Sequence, residues 1–93
     1  VVDPYTETKL IDNQFLRTFS TQIDDTELKW HQDWEDREVE FVNMNDWMVQ
    51  IDNELPRKCE GSLFIKANVW HRLIKGSSEL VVKITKYPPP VDI

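Results

Sequence analysis

The sequence predicts an all-β fold, a sandwich or barrel of short strands, and three observations carry that prediction. Apolar residues in the middle and C-terminal parts alternate with polar ones, which puts every second side chain on one face of a strand. Turn-forming clusters separate these runs at regular intervals, as in many-stranded β folds. Neither an internal repeat nor a linker composition divides the chain, so residues 1–93 read as one domain.

The first dozen residues, VVDPYTETKLID, form an N-terminal segment over 1–12 for which an arm, an edge strand and a short helix are all open. Phe15, Arg17 and Phe19 alternate with Leu16, Thr18 and Ser20, a strand that ends before the turn cluster IDDTE. In DWEDREVEF, Trp34, Glu38 and Phe41 fit a helical spacing, but Val39 and Phe41 alternate with Glu38 and Glu40 and favour a strand from Arg37. Trp47, Val49 and Ile51 form the next strand between the turns NMND and DNELP. After KGSS, Leu80, Val82 and Ile84 alternate with Val81, Lys83 and Thr85. The end, YPPPVDI over 87–93, is a Pro-rich, polyproline-like tail.

Composition excludes several classes of function. The chain has 11 Lys and Arg against 17 Asp and Glu, a net charge of −6, and no basic run, which argues against nucleic acid as a partner. No apolar stretch approaches a membrane span and none has the pattern of a signal peptide, so no membrane partner is expected and a cytoplasmic location is the default. Cys59 is the only cysteine, which rules out an intrachain disulfide and a cysteine-based zinc cluster and reads as an incidental half-buried thiol.

The chemistry-bearing residues lie in KWHQDWEDREVEF and NVWHRLIKG. On a strand, His31 and Asp33 project from one face with Cα atoms about 6.6 Å apart, Lys29 shares that face, and Trp30 and Trp34 take the other. A second strand carrying His71 would complete two histidines and a carboxylate, a ligand set associated with non-haem Fe(II) and compatible with Mn, Ni or Zn. The tryptophans read as barrel or interface packing, and the acidic run WEDREVE reads as a solvated rim.

The context of these residues resembles a known family. CEGSLFIKANVWHRL places a glycine, an apolar strand, a tight corner at Lys66-Ala67-Asn68 and a histidine in the order of the second motif of the cupins. HQDWEDRE stands where their first motif has His-x-His followed by Glu. The resemblance, to small single-domain cupins of the RmlC-like type, implies an antiparallel jelly-roll barrel, a double-stranded β-helix, with a pocket at the ends of the strands that carry both motifs. It names no reaction, because cupins include dioxygenases, isomerases, storage proteins and sugar-sensing domains.

This chain departs from the family pattern at the ligands. Asp33 replaces the second histidine, and Arg37 falls where the metal-binding glutamate belongs, with Glu38 on the outward face. A guanidinium has no lone pair to offer an ion. Two functions therefore stand side by side. One is a cupin-like protein that binds a small molecule, with a divalent metal (Fe, Mn, Ni or Zn) held by His31, Asp33 and His71; as an enzyme it would run metal-dependent chemistry of the oxygenase or isomerase type on a small polar substrate. The other is a non-catalytic binding or interaction module with a degenerate, metal-free site in which Arg37 pairs with Asp33, leaving Arg37, His31 and His71 to receive a small anion. The small core and four tryptophans also predict a homodimer, with Val1 to Ser20 as its contact.

Overall fold

The computed structural model describes residues 5–24 and 28–89. Eight strands follow one another: β1 (Tyr5–Ile11), β2 (Gln14–Phe19), β3 (Asp36–Phe41), β4 (Met48–Ile51), β5 (Arg57–Lys58), β6 (Ser62–Ile65), β7 (His71–Ile74) and β8 (Leu80–Tyr87). No helix occurs among the described residues. Every strand pair is antiparallel, in a five-stranded sheet of order β1-β2-β8-β3-β6 and a three-stranded sheet of order β5-β4-β7. Together they form a small jelly-roll barrel, the fold class the sequence predicts.

Local sequence explains the corners. β1 and β2 form a hairpin whose turn holds Asn13 at φ 65, and Asn53 and Asn68 take the same left-handed conformation at φ 63 and φ 65. Asparagine tolerates this region better than most side chains, and Asn68 sits at the corner the sequence reading marked for it. Residues 5–11 thus form an edge strand, one of the three conformations open to them; residues 1–4, 25–27 and 90–93, which include parts of the N-terminal segment, the IDDTE turn and the Pro-rich tail, lie outside the described residues.

The core lies between the sheets. Leu80, Val82 and Ile84, inward on the central strand β8, are buried together with Phe19, Trp47, Val49 and Cys59. The thiol is more deeply buried than the half-buried state expected of it, and this burial pushes its pKa up to about 12. β4 begins one residue later than the alternation predicts. The amide of Trp47 donates to Asn45 Oδ1 instead of the ladder, and its indole Nε1 donates to the Ser78 carbonyl. Trp47 thereby plugs the Ile74 end of the small sheet, and truncating it to alanine would cost about 3–5 kcal/mol. His71 pairs with Ile51 at the other end of the same two strands, where the barrel holds its cavity.

Candidate metal centre

Backbone pairing brings the two histidines together. His31 and His71 exchange both N–H to carbonyl hydrogen bonds, each 3.0 Å, an antiparallel bridge that adds one position to the edge of the small sheet. The ring centroids are 4.2 Å apart. The corner before β7 is tied to the chain around His31: the Asn68 amide donates to the Asp33 carbonyl (2.7 Å), Gln32 Nε2 to the Asn68 carbonyl (2.8 Å), and the Ala67 amide to Asp36 Oδ1 (2.8 Å). These ties fix the register between the two segments, so Lys29, His31, Asp33 and Arg37 line one cavity with His71. Trp30 and Trp34 lie on the exposed side, as strand parity predicts.

Both imidazoles are oriented through the backbone. His31 Nδ1 is 2.9 Å from the Lys29 carbonyl, and His71 Nδ1 is 2.9 Å from the Val69 carbonyl. A carbonyl only accepts, so each Nδ1 carries a proton, and Nε2 is the ring atom left to hold a ligand. His71 Nε2 lies 3.2 Å from Asp33 Oδ2, yet Oδ2 is buried without a hydrogen-bond donor of adequate geometry among the described residues. The two atoms stand at ion-pair distance, and with His71 Nε2 unprotonated their lone pairs would face each other. One ligand atom from each of His31, Asp33 and His71 falls within 4.8 Å of the other two. Two ligands about 2.1 Å from one ion and at right angles to each other stand about 3.0 Å apart, close to the His71–Asp33 separation. The donor set, two imidazoles and a carboxylate, fits a divalent transition metal.

Burial alone would raise the Asp33 pKa. Contact with His71, then the charge of Arg37, with smaller help from the charges of His71 and His31, outweighs burial and holds the carboxyl below the usual aspartate value. Arg37 Nη2 is 3.3 Å from Asp33 Oδ1, which is the pairing the sequence reading expects, but the arginine has a closer partner. Glu35 Oε1 accepts from Arg37 Nε at 2.7 Å and lies 2.7 Å from Nη2.

Glu35 corrects the reading of WEDREVE as a solvated rim. It is 2 % exposed, and its Oε2 is buried without a donor among the described residues. The signal was present in the sequence, because Glu35 shares the parity of Asp33 and Arg37 and so turns inward with them. Arg17, also missed as a site residue, carried the same kind of signal. It lies at the inward parity of Phe15 and Phe19 on β2 and lines the cavity opposite the histidines' sheet. Arg17 Nε donates to Glu7 Oε1 at 2.9 Å, and its guanidinium lies over the Tyr5 ring, 4.1 Å from the centroid. The cavity measures about 350 Å³, at the small end of the range for ligand pockets.

No protein-family model matches the chain, and no curated protein matches its sequence. Solved structures do match its fold. The structure of Fe(II) HppE superposes with a TM-score of 0.69 at 17% identity over 94% of this chain and 53% of that one. That of hydroxypropylphosphonic acid epoxidase from S. wedmorenis gives 0.68 at 15% identity over 92% of this chain and 52% of that one. Protein NMB1881 from Neisseria meningitidis gives 0.59 at 10% identity, covering 92% of this chain and 87% of its own. The chain spans about half the length of the first two. At these identities the likeness establishes a cupin-like fold. Among the described residues no helix is long and apolar enough to cross a membrane.

Proposed function

We propose that the protein is a cupin-like metalloprotein that binds one divalent transition-metal ion through His31 Nε2, Asp33 Oδ2 and His71 Nε2, and a small molecule beside it in the barrel cavity. The observation that carries this reading is the 3.2 Å approach of His71 Nε2 to the buried Asp33 Oδ2, which no donor of adequate geometry reaches among the described residues, with both Nδ1 protons committed to backbone carbonyls. A cation between them would take a lone pair from each as a ligand bond. Fe(II) is the first candidate, because the ligand set suits it and two structures sharing the fold are named as Fe(II) forms of HppE. Mn, Ni and Zn suit the same donors.

An ion so held would supply Lewis-acid or redox chemistry to a bound small molecule. The chain's own residues do the rest. The Lys29 and Val69 carbonyls fix the imidazole tautomers, and Arg37 takes Asp33 Oδ1, which leaves Oδ2 turned to the histidines. Val39, Ile84 and Leu73 give the cavity an apolar wall. As an enzyme it would act on a small polar substrate by oxygenase or isomerase chemistry.

A second reading draws on the Arg37 contacts: with Asp33 and Glu35 paired to one guanidinium, the cluster could be a metal-free polar network in a non-catalytic binding module. Elemental analysis of the purified protein and calorimetric titration with Fe(II) under anaerobic conditions, Mn(II), Ni(II) and Zn(II) separate the two. One equivalent per chain supports the metalloprotein; no uptake of any of the four removes it. A homodimer belongs to the same proposal, supported by the exposed Trp34 and Trp70 and by the place of β1 at the edge of its sheet among the described residues. Light scattering tests it, and a mass that stays at the 11.1 kDa of one chain on concentrating would exclude it.

A further inference from the structure

The cavity has two polar ends with an apolar floor between them. Arg17 pairs in register with Val82, Val82 with Phe41, and Phe41 lies four residues along β3 from Arg37. On a flat sheet this diagonal separates the backbones of Arg17 and Arg37 by about 17 Å. Val82, Ile84 and Val39 cover the sheet between them and line the cavity. Arg37 and the His31–Asp33–His71 trio occupy one end, Arg17 the other.

The cations at the two ends are in different states. Arg37 spends Nε and Nη2 on Glu35 and Asp33. Arg17 spends only Nε, on Glu7, and among the described residues its two Nη groups have no hydrogen-bonded acceptor although its side chain is 11% exposed. Glu7 and the Tyr5 ring hold the guanidinium plane in place, so the open Nη edge is already oriented. Such an edge matches the two oxygens of a carboxylate or phosphoryl group. Lys29 lines the same cavity, and its ammonium likewise has no acceptor or ion pair among the described residues. In a chain of net charge −6, two cations on the wall of one cavity with donors unmatched among the described residues stand against the general balance.

We infer that the ligand of this cavity is a small organic acid: its anionic head sits on the Nη edge of Arg17 with Lys29 beside it, a short apolar stem lies along Val82, Ile84 and Val39, and an oxygen donor at its far end reaches the His31–Asp33–His71 trio. This deepens the metalloprotein reading and rests on it only for the far end of the ligand. It also moves the anion site away from Arg37, whose Nε and Nη2 are already taken by two carboxylates.

The test is calorimetric titration of the full chain, Zn(II)-loaded and metal-free, with succinate, adipate and 3-phosphonopropionate, and with inorganic phosphate and 1,4-butanediol as controls. At least one of the acids binds the loaded protein, and the diol does not. Arg17→Gln weakens that acid about tenfold or more, the exposed Lys29→Met about threefold, and both keep Zn(II) affinity within about twofold. Comparison of the dicarboxylates with 3-phosphonopropionate tells which head group the Arg17 edge prefers. Arg17-dependent binding of an acid to protein that takes up no Zn(II) would uphold this site while removing the metal reading. Equal binding of the acids to wild type, Arg17→Gln and Lys29→Met, or binding of none of them in either state, would overturn it.

Discussion

Two arginines on the inner face of one sheet, Arg17 on β2 and Arg37 on β3, carry the same side chain to opposite ends. Arg37 is half-buried between two carboxylates of its own segment, Asp33 and Glu35, at parity positions that turn all three side chains inward. Arg17 meets a single carboxylate, Glu7, on the edge strand β1, and lies flat on an aromatic ring. Sequence shows the same residue type at the same inward parity in both places. The difference comes from the neighbours: Arg37 has acids two and four residues before it, whereas the partner of Arg17 arrives through a hairpin ten residues away. A guanidinium enclosed by acids holds structure, and one with an open edge can bind a ligand.

The largest expected effect follows from breaking the enclosed pair. Arg37→Met leaves the half-buried Asp33 and the buried Glu35 without their arginine, at a cost of about 3–5 kcal/mol in urea denaturation. For a domain this size that loss lowers the melting temperature by roughly 15–30 °C. Added Zn(II) should restore part of it, because an ion at the trio again pairs Asp33. A loss under about 1 kcal/mol would show that Arg37 is not what keeps the two acids buried.

Next in size are the ligands. His71→Ala and Asp33→Ala each remove a donor of the trio and should lower Zn(II) or Mn(II) affinity at least about 100-fold by calorimetry, more than the 10–100-fold that changes to residues behind the ligands typically cost. Glu35→Gln belongs to that second group. It leaves Arg37 with a weaker partner and Asp33 closer to sole possession of it, and should lower metal affinity about tenfold. Identical affinities for Glu35→Gln and wild type would mean that Glu35 serves stability alone.

Acid sharpens the comparison further. The Asp33 pKa in the folded protein lies below its ordinary value of 3.8, so the stability this group contributes is present above that value and is lost as the pH falls through the lower folded value. Denaturation of wild type and Asp33→Asn measured at falling pH should therefore converge in the acid range, with the gap between them fully open above about pH 5. Curves that stay parallel down through the acid range would show that the Arg37 and histidine contacts do not depress the carboxyl. The smallest effect belongs to the other arginine. Arg17→Gln loses one ion pair to a partly exposed acid and a stacking contact with Tyr5, about 1 kcal/mol in the same denaturation assay, so its loss of ligand can be read without loss of fold.

Much of the fold was legible in the chain because strand parity is local. The alternation at Phe15–Phe19, Arg37–Phe41 and Leu80–Ile84 marks strands that the structure contains, and Asn68 marks its own corner by the backbone region it tolerates. Parity also turns His31, Asp33 and Arg37 to one side. It turns Glu35 inward too, but an acid in a run of acids has the composition of a solvated surface, and only its distance to Arg37 and its burial distinguish it.

By itself, then, the sequence determined which residues face inward and in what order, since alternation depends only on adjacent bonds. The tertiary structure decided which inward residues meet. That His31 pairs with His71 across about forty positions, that Arg37 is consumed by two acids, and that Arg17 lines the same cavity with its Nη edge open all depend on strand order and register. These are set by the packing of the whole core, in which each strand's register is fixed by the side chains of strands distant in the chain.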